Sequence, residues 1–256
     1  MITQEWVMCN GKRLCVVTNI ETKIKYRKCI VFLPGFSQTK AGSYFLFTQI
    51  CNSLAENIAT IQFDYRGFGD SEGESEEVDL KTMYQDAREI TKWIYRKNIC
   101  ETYTYIGHGV GNYLAAILAS EMYGADAILV APQPDPLKSI VKFNSIVQAV
   151  EDFKGDTVDT GDLCKWDENT DEFFAILGGR LNRSKGIVVK RDFLIQAINF
   201  NLSSFCIENI KINILDENEN FKDSSIKLIG FGIKDSLLLD MLEREKVIKK
   251  ICDMCM

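Results

Sequence analysis

Residues 107–111 read Gly-His-Gly-Val-Gly and separate two stretches of different character. The run before them, Thr102 to Ile106, is rich in β-forming residues, whereas an alanine-rich segment with helical character follows. Glycine adopts left-handed backbone angles and permits close backbone contact, so glycines at alternate positions indicate a tight turn. The sequence therefore predicts that a strand runs directly into a helix here.

Short β-rich runs and helical patterns alternate outward from this turn. Strands are predicted at Lys12–Asn19, Cys29–Leu33, Ala59–Asp64, Thr102–Ile106 and Ala127–Ala131, the last ending at the breaker sequence PQPDP. One helix is predicted over Tyr44–Ile58. A second contains apolar residues that share one face at helical spacing: Leu80, Met83, Tyr84, Ala87, Ile90 and Ile94. The alternation predicts an α/β fold with a mostly parallel sheet and helices on both faces.

The pattern becomes irregular after Pro136. We predict a cap or lid insertion over residues 135–205, set into a core built from residues 1–134 and 206–256. Sheet-like runs resume at Ile210–Leu215 and Ser225–Phe231. A closing amphipathic helix is built around four apolar residues, Met241, Leu242, Ile248 and Ile251.

Composition narrows the functional classes. The chain has 256 residues, 46% of them hydrophobic, and a formal net charge of −6. An acidic chain argues against nucleic-acid or anionic-membrane partners, since both need a basic surface. No apolar run approaches the ~20 residues that span a bilayer, and the first residues lack the features of a secretory signal. We therefore expect a cytoplasmic protein.

The nine cysteines are too scattered for a disulfide framework in a chain of this length. Most lie in apolar segments, where cysteine behaves as a small hydrophobic residue. The pair Cys252-x-x-Cys255 has zinc-ligand spacing, but there is no second such pair and the single histidine lies far away in sequence. We predict reduced cysteines and no metal.

Three segments together resemble the α/β-hydrolase superfamily, particularly its small serine-hydrolase and acyltransferase-like members. Residues 33–36 (LPGF) look like the family's His-Gly-Phe turn after the third strand. Residues 63–71 (FDYRGFGDS) are similar to its D-x-R-G-x-G-x-S turn, and residues 107–111 stand where the nucleophile elbow G-x-S-x-G belongs. The resemblance covers roughly Cys29 to Asp135 and implies the α/β-hydrolase fold.

Two departures from the family bear on activity. The middle residue of the family's elbow is the nucleophile, but here it is Gly109, which has no attacking oxygen. The family's general base is normally a histidine after the last strand, where residues 230–236 offer Lys234 and Asp235. The single histidine, His108, stands in the elbow itself. We therefore predict a degenerate member with no catalytic residues of the usual kind, and no conventional serine hydrolysis.

The resemblance also implies an oxyanion hole made of two backbone N–H groups, those of Phe36 and Val110. We predict a ligand site near these groups, formed by Gly35, Phe36, Ser37, Gly109, Val110 and Asp135. Some relatives carry the triad acid at the position of Asp135; Asp216 and Asp223 are alternatives for it. Another possibility is that this corner has filled in and become core.

A dinucleotide site is the main rival for the glycine-rich turn. Its fingerprint G-x-G-x-x-G needs a small residue at position 112, where this chain has Asn112. It also needs an acid at the end of the following strand, whereas Asp126 precedes the predicted strand. We therefore predict no cofactor.

Three functions remain open. The first is a non-hydrolytic protein that binds a small acyl or peptide ligand or a partner protein. The second is a non-hydrolytic enzyme of isomerase or epimerase type, acting on a peptide or acyl compound with Asp135, Asp64 or the substrate as acid or base. The third is a structural subunit of a larger assembly.

Overall fold

Strands and helices alternate along most of the chain. The computed structural model describes residues 2–21, 24–122, 124–131, 212–214, 226–229 and 241–255. The strands in these ranges are β1 (Thr3–Cys9), β2 (Lys12–Thr18), β3 (Tyr26–Leu33), β4 (Ile58–Phe63), β5 (Cys100–His108), β6 (Ala125–Val130), β7 (Ile212–Ile214) and β8 (Ile226–Ile229). The helices are α1 (Leu46–Ser53), α2 (Leu80–Lys97), α3 (Gly111–Glu121) and α4 (Met241–Cys255).

All eight described strands belong to one sheet, in the order β1-β2-β4-β3-β5-β6-β8-β7. The β1–β2 and β2–β4 pairs are antiparallel, and every other described pair is parallel. Leu33, the last residue of β3, lies beside Gly107 of β5. The turns that follow these two strands therefore meet at the carboxyl edge of the sheet, where ligands bind in open α/β folds.

The two faces of the sheet bury different side chains because successive residues of a strand point to opposite sides. On β3, Ile30 and Phe32 face a cluster with α1 and α4, whereas Val31 and Leu33 face a cluster with α2 and α3. Helices thus cover both faces of a mostly parallel sheet. The predicted fold class is confirmed.

The sequence analysis missed one element, β1, and extended another too far. The helix predicted over Tyr44–Ile58 is shorter: a 3₁₀ turn occupies Ser43–Phe45, α1 ends at Ser53, and Ile58 begins β4. Tyr44 and Phe45 have φ angles of 48° and 61°, which an α-helix does not contain.

Strands lie within both predicted late runs, at Ile212–Ile214 and Ile226–Ile229. The predicted cap (135–205), Asp135, Asp216, Asp223 and the loop at 230–236 lie outside the described residues. None of the described helices is both long and apolar enough to cross a bilayer. A cytoplasmic location stays a prediction.

Candidate functional site

The turn between β5 and α3 depends on close backbone contacts at its two outer glycines. A Cβ at Gly107 would lie 2.4 Å from the carbonyl oxygen of Gly111. A Cβ at Gly111 would lie 1.9 Å from the carbonyl oxygen of Leu33, the last residue of β3. Both distances are far inside van der Waals contact, so no larger residue fits at either position. The first and last glycines of the motif hold α3 against the carboxyl ends of β3 and β5.

Gly109, the middle residue, is not crowded by any described residue. Its φ angle is +58°, and a Cβ built on it would have the Cα of Gly35, at 3.6 Å, as its nearest neighbour. That distance is ordinary contact, so the turn has space for a side chain at 109. Gly109 is partly exposed, whereas His108 and Val110 on either side are buried. Among the described residues, none occupies the position of a Cβ at Gly109, and this gap is the opening at the elbow.

The turn after β3 lies opposite Gly109. The Gly35 N–H donates to Oε1 of Gln38 at 3.0 Å, and the Gln38 N–H donates to the Gly35 carbonyl at 3.1 Å. Ser37 between them has a φ angle of 61° and is partly exposed. The Phe36 ring is buried edge-on against Phe68, with centroids 5.2 Å apart. The side chain of Phe36 is thus part of the core. The hydrogen bonds between Gly35 and Gln38 hold the turn.

His108 joins the two turns. Its ring is 1% exposed, and Nδ1 lies 3.5 Å from Oε1 of Gln38, the same oxygen that accepts the Gly35 N–H. His108 also ends β5 and lies beside Val130 of β6. The single histidine of the chain is therefore a buried residue within the elbow.

Of the predicted ligand residues, the structure brings five together. Gly35, Phe36 and Ser37 form the turn after β3; Gly109 and Val110 form the turn after β5 that faces it. Val110 is the N-cap of α3 and makes no side-chain cap hydrogen bond. The N–H groups of Asn112 and Tyr113 in the first turn donate to the carbonyls of Gly109 and Val110, both at 3.1 Å. The amino end of α3 carries the partial positive charge of the helix dipole.

A buried hydrogen-bond network around Asp64, which the sequence analysis missed, joins the segment that follows β3 to the turn after β4. Asp64, which is fully buried, accepts from the backbone N–H of Lys40 at 2.6 Å and from its Nζ at 2.7 Å. It also accepts from the N–H of Asp70 at 3.0 Å, and a Cβ at Gly69 would lie 2.3 Å from the carboxylate. The glycine spacing signals this turn. The partner Lys40, 24 residues before Asp64, carries no local signal.

Lys40 is the cation that the two carboxylates of this network share. Burial lowers the pKa of Lys40, but its hydrogen bonds to Asp64 and Asp70 outweigh burial and raise that pKa. The same contact lowers the pKa of Asp70. Ligand atoms of Cys15, Asp64 and Asp70 all lie within 4.8 Å of one another, which suits a metal. However, Nζ of Lys40 already bonds to both carboxylates, at 2.7 and 2.6 Å, and supplies the cation.

Two other residues have structural contacts. Asn112 donates its amide to the Val130 carbonyl at 3.0 Å and accepts the Val130 N–H at 2.9 Å, which ties α3 to the end of β6. Asp126 lies inside β6, so the expectation that it precedes the strand was wrong. It stands near the amino end, beside Thr104, away from the glycine-rich turn. Neither residue is placed as the dinucleotide fingerprint requires.

Comparison with known proteins assigns a family to this fold and site. The family profile of the serine aminopeptidases, S33, matches residues 24–173, more than half of the chain. The chain belongs to this family and to the α/β-hydrolase superfamily that its three segments resemble.

Individual proteins share the architecture at low sequence identity. α/β-Hydrolase domain-containing protein 10 from mouse is 17% identical, with a TM-score of 0.60 over 98% of both chains. Est1E from Butyrivibrio proteoclasticus, solved with ferulic acid, is 15% identical, with a TM-score of 0.61 over 98% of this chain and 97% of that chain. At these identities the likeness shows the fold. No curated protein matches the sequence significantly.

Proposed function

We propose that this chain is a non-hydrolytic member of its family that binds a small acyl or peptide ligand at the turn between β5 and α3. The observation that carries the proposal is Gly109. The turn has space for a side chain there and the φ angle of an elbow, but glycine supplies no nucleophile. Family chemistry needs a hydroxyl or thiol at this point and a base to deprotonate it.

The single histidine supports the same proposal. His108 is held inside the elbow, beside Gln38, and not in a loop beyond β8. A base must come within hydrogen-bond reach of the proton that it removes. With no hydroxyl at 109 there is no such proton on the elbow. Loss of the nucleophile and displacement of the histidine are independent changes, and each removes conventional hydrolysis.

The ligand chemistry follows from what remains at the turn. α3 has 11 residues, and its N-cap has no side-chain cap. Carbonyl and carboxylate oxygens bind favourably at such helix N-termini. The opening beside Gly109 provides the space that a nucleophile would otherwise take. An acyl or peptide carbonyl oxygen near Val110 and Phe36, with its substituent beside Gly109, fits both features.

The isomerase or epimerase alternative is less well supported. It needs an acid or base close to the ligand, and Asp64 was one candidate. Asp64 is fully buried and accepts from Lys40 and from the Asp70 N–H, so its carboxylate is already committed. The partner-protein alternative remains an outcome of the test below.

Native mass spectrometry of protein purified gently from its own source tests the proposal. We expect wild-type protein to retain a small adduct and Gly109→Leu to lose it, because the leucine side chain fills the opening. Gly124→Leu is the matched control: Gly124 has a φ angle of +74° and no described atom within 4 Å of a Cβ, so the substitution imposes similar backbone strain away from the elbow.

The control should keep the adduct. Equal retention by Gly109→Leu and wild type would place the ligand elsewhere and contradict the proposal. A stoichiometric protein partner without a small adduct would favour the partner-protein alternative.

A further inference from the structure

β1 forms one end of the described sheet and pairs only with β2 there. Asn10 and Gly11, with φ angles of 48° and 80°, form the two-residue turn between the strands, and Cys9 pairs with Lys12. Residues flanking such a turn form a hydrogen-bonded pair, and these pairs alternate along the ladder. The backbone groups of Gln4, Trp6 and Met8 therefore point away from β2, out of the sheet.

These outward backbone groups are unpaired within the part of the chain that the structure describes. Proteins usually protect such an edge with charges, proline or a bulge. Here the outward residues are uncharged and include no proline, and seven consecutive pairs join β1 to β2 without a bulge. The edge is thus a regular template for another strand.

The side chains on this edge form an apolar row. Ile2 is 73% exposed, Trp6 45% and Met8 59%. The alternate residues Val7 and Cys9 are buried in the core cluster that includes α2, so only one face of β1 is open. An exposed apolar row beside unpaired backbone marks an interaction surface.

Charges around the row are already neutralised. Arg13 lies over the Trp6 ring at 5.3 Å and pairs with Glu72 at 2.6 Å, and Glu5 pairs with Lys97 at 2.9 Å. The row itself is uncharged. Two identical rows can therefore meet without repulsion between like charges.

We propose that a second copy of this chain pairs antiparallel with β1 and extends the sheet across a two-fold axis. Antiparallel pairing is what identical edges form about such an axis, and it closes the assembly at a dimer. An axis at Trp6 places Gln4 opposite Met8 of the partner subunit and forms about six backbone hydrogen bonds. An axis at Glu5 would set two carboxylates opposite each other, which is unfavourable.

Analytical ultracentrifugation over a wide range of protein concentration tests this pairing. Wild type should sediment as a dimer. Gln4→Pro removes one outward N–H without removing a bond to β2, and Trp6→Lys places a charge in the row. Both should raise the dimer dissociation constant at least ten-fold while far-UV circular dichroism stays unchanged. Phe45→Lys is the matched control. Phe45 is also apolar, is 67% exposed and lies in the 3₁₀ turn before α1, so its replacement should leave the dimer intact.

A wild-type monomer throughout the range would overturn the proposal, even if it captured another protein. A dimer with the same dissociation constant in wild type and Gln4→Pro would also overturn it. Should Trp6→Lys fail to fold, Gln4→Pro decides the result alone.

Discussion

At the turn between β5 and α3, a Cβ at Gly111 would lie 1.9 Å from the Leu33 carbonyl oxygen, whereas one at Gly109 would lie 3.6 Å from its nearest neighbour. Glycine at 111 is required by space. Glycine at 109 is compatible with a left-handed backbone angle but is not required by crowding. The missing side chain at 109 therefore changes the chemistry of the turn more than its structure.

Gly111→Ala should destabilise the protein by about 3 kcal/mol or more, because the new methyl group forces the backbones of α3 and β3 apart. Urea unfolding measures the loss. Gly124→Ala, at a left-handed glycine with open space around it, should cost only about 1 kcal/mol. Equal losses in the two variants would show that the close contact at Gly111 is not rigid.

Gly109→Ser should fold, at a cost of about 1–2 kcal/mol for a side chain in the left-handed region. It should not gain esterase activity, since the added hydroxyl has no base in a position to deprotonate it. Hydrolysis of p-nitrophenyl acetate, with Gly124→Ser as the matched control, measures this. Turnover by Gly109→Ser well above that of the control would reveal a base that the described residues do not suggest.

At the scale of elements, a buried ion pair fixes α2 to the sheet. Asp86 of α2 is fully buried, and both of its oxygens accept from the Arg66 side chain, at 2.5 to 3.1 Å. It also accepts from the Arg66 N–H at 2.9 Å. Burial lowers the pKa of Arg66, but the hydrogen bonds to Asp86 outweigh burial and raise it. The pair holds the turn after β4 against α2.

Asp86→Leu should destabilise the protein by about 3–5 kcal/mol, because it leaves the Arg66 charge buried without a partner. Adding Arg66→Met should recover part of the loss, since two apolar groups then replace the pair. Chemical unfolding of both single variants and the double variant measures the coupling. A double variant whose loss equals the sum of the single losses would show that the two residues do not interact.

Element prediction succeeded where the apolar pattern matched the buried face. It failed at β1, because the strand's apolar residues Trp6 and Met8 are on its exposed face and only Val7 and Cys9 are buried. It over-extended α1 because the apolar run continues from the helix into β4, and periodicity does not divide such a run. The left-handed angles at Tyr44 and Phe45 leave no signature in residue type.

Prediction of the site likewise succeeded for local features of the sequence and failed for contacts between distant residues. Glycine turns are local, so the turn at Gly109 could be predicted from residue type, and the resemblance to the α/β-hydrolases implied that the turn at Gly35 faces it. The contacts of Asp64 with Lys40 and of Arg66 with Asp86 join residues 24 and 20 positions apart, and charge alone does not select those partners. Tertiary packing fixes both pairs.

At the scale of the whole molecule, buried thiols make stability depend on alkaline pH. Burial raises the pKa of Cys9 and of Cys51 from 9.0 to about 12, helped at Cys9 by a hydrogen bond with Asp86. A raised pKa in the folded state contributes stability below the unfolded pKa, and this contribution is lost as pH rises toward the folded pKa.

The free energy of unfolding should therefore fall between about pH 9 and pH 12, by at most about 1.4 kcal/mol per pH unit for each thiol. Urea unfolding at a series of pH values under reducing conditions measures the slope. Cys9→Ala should show a shallower slope than wild type. An unchanged slope in that variant would mean that the Cys9 thiol is not protected in the folded state.

Reaction with a fluorophosphonate, read by intact-protein mass and paired with turnover of p-nitrophenyl esters and thioesters, tests the absence of an elbow nucleophile most directly. We predict an unmodified mass and turnover at the buffer rate, because Gly109 offers no oxygen or sulfur to attack the reagent. Stoichiometric labelling, together with robust turnover that substitution of a single serine or cysteine abolishes, would contradict this account.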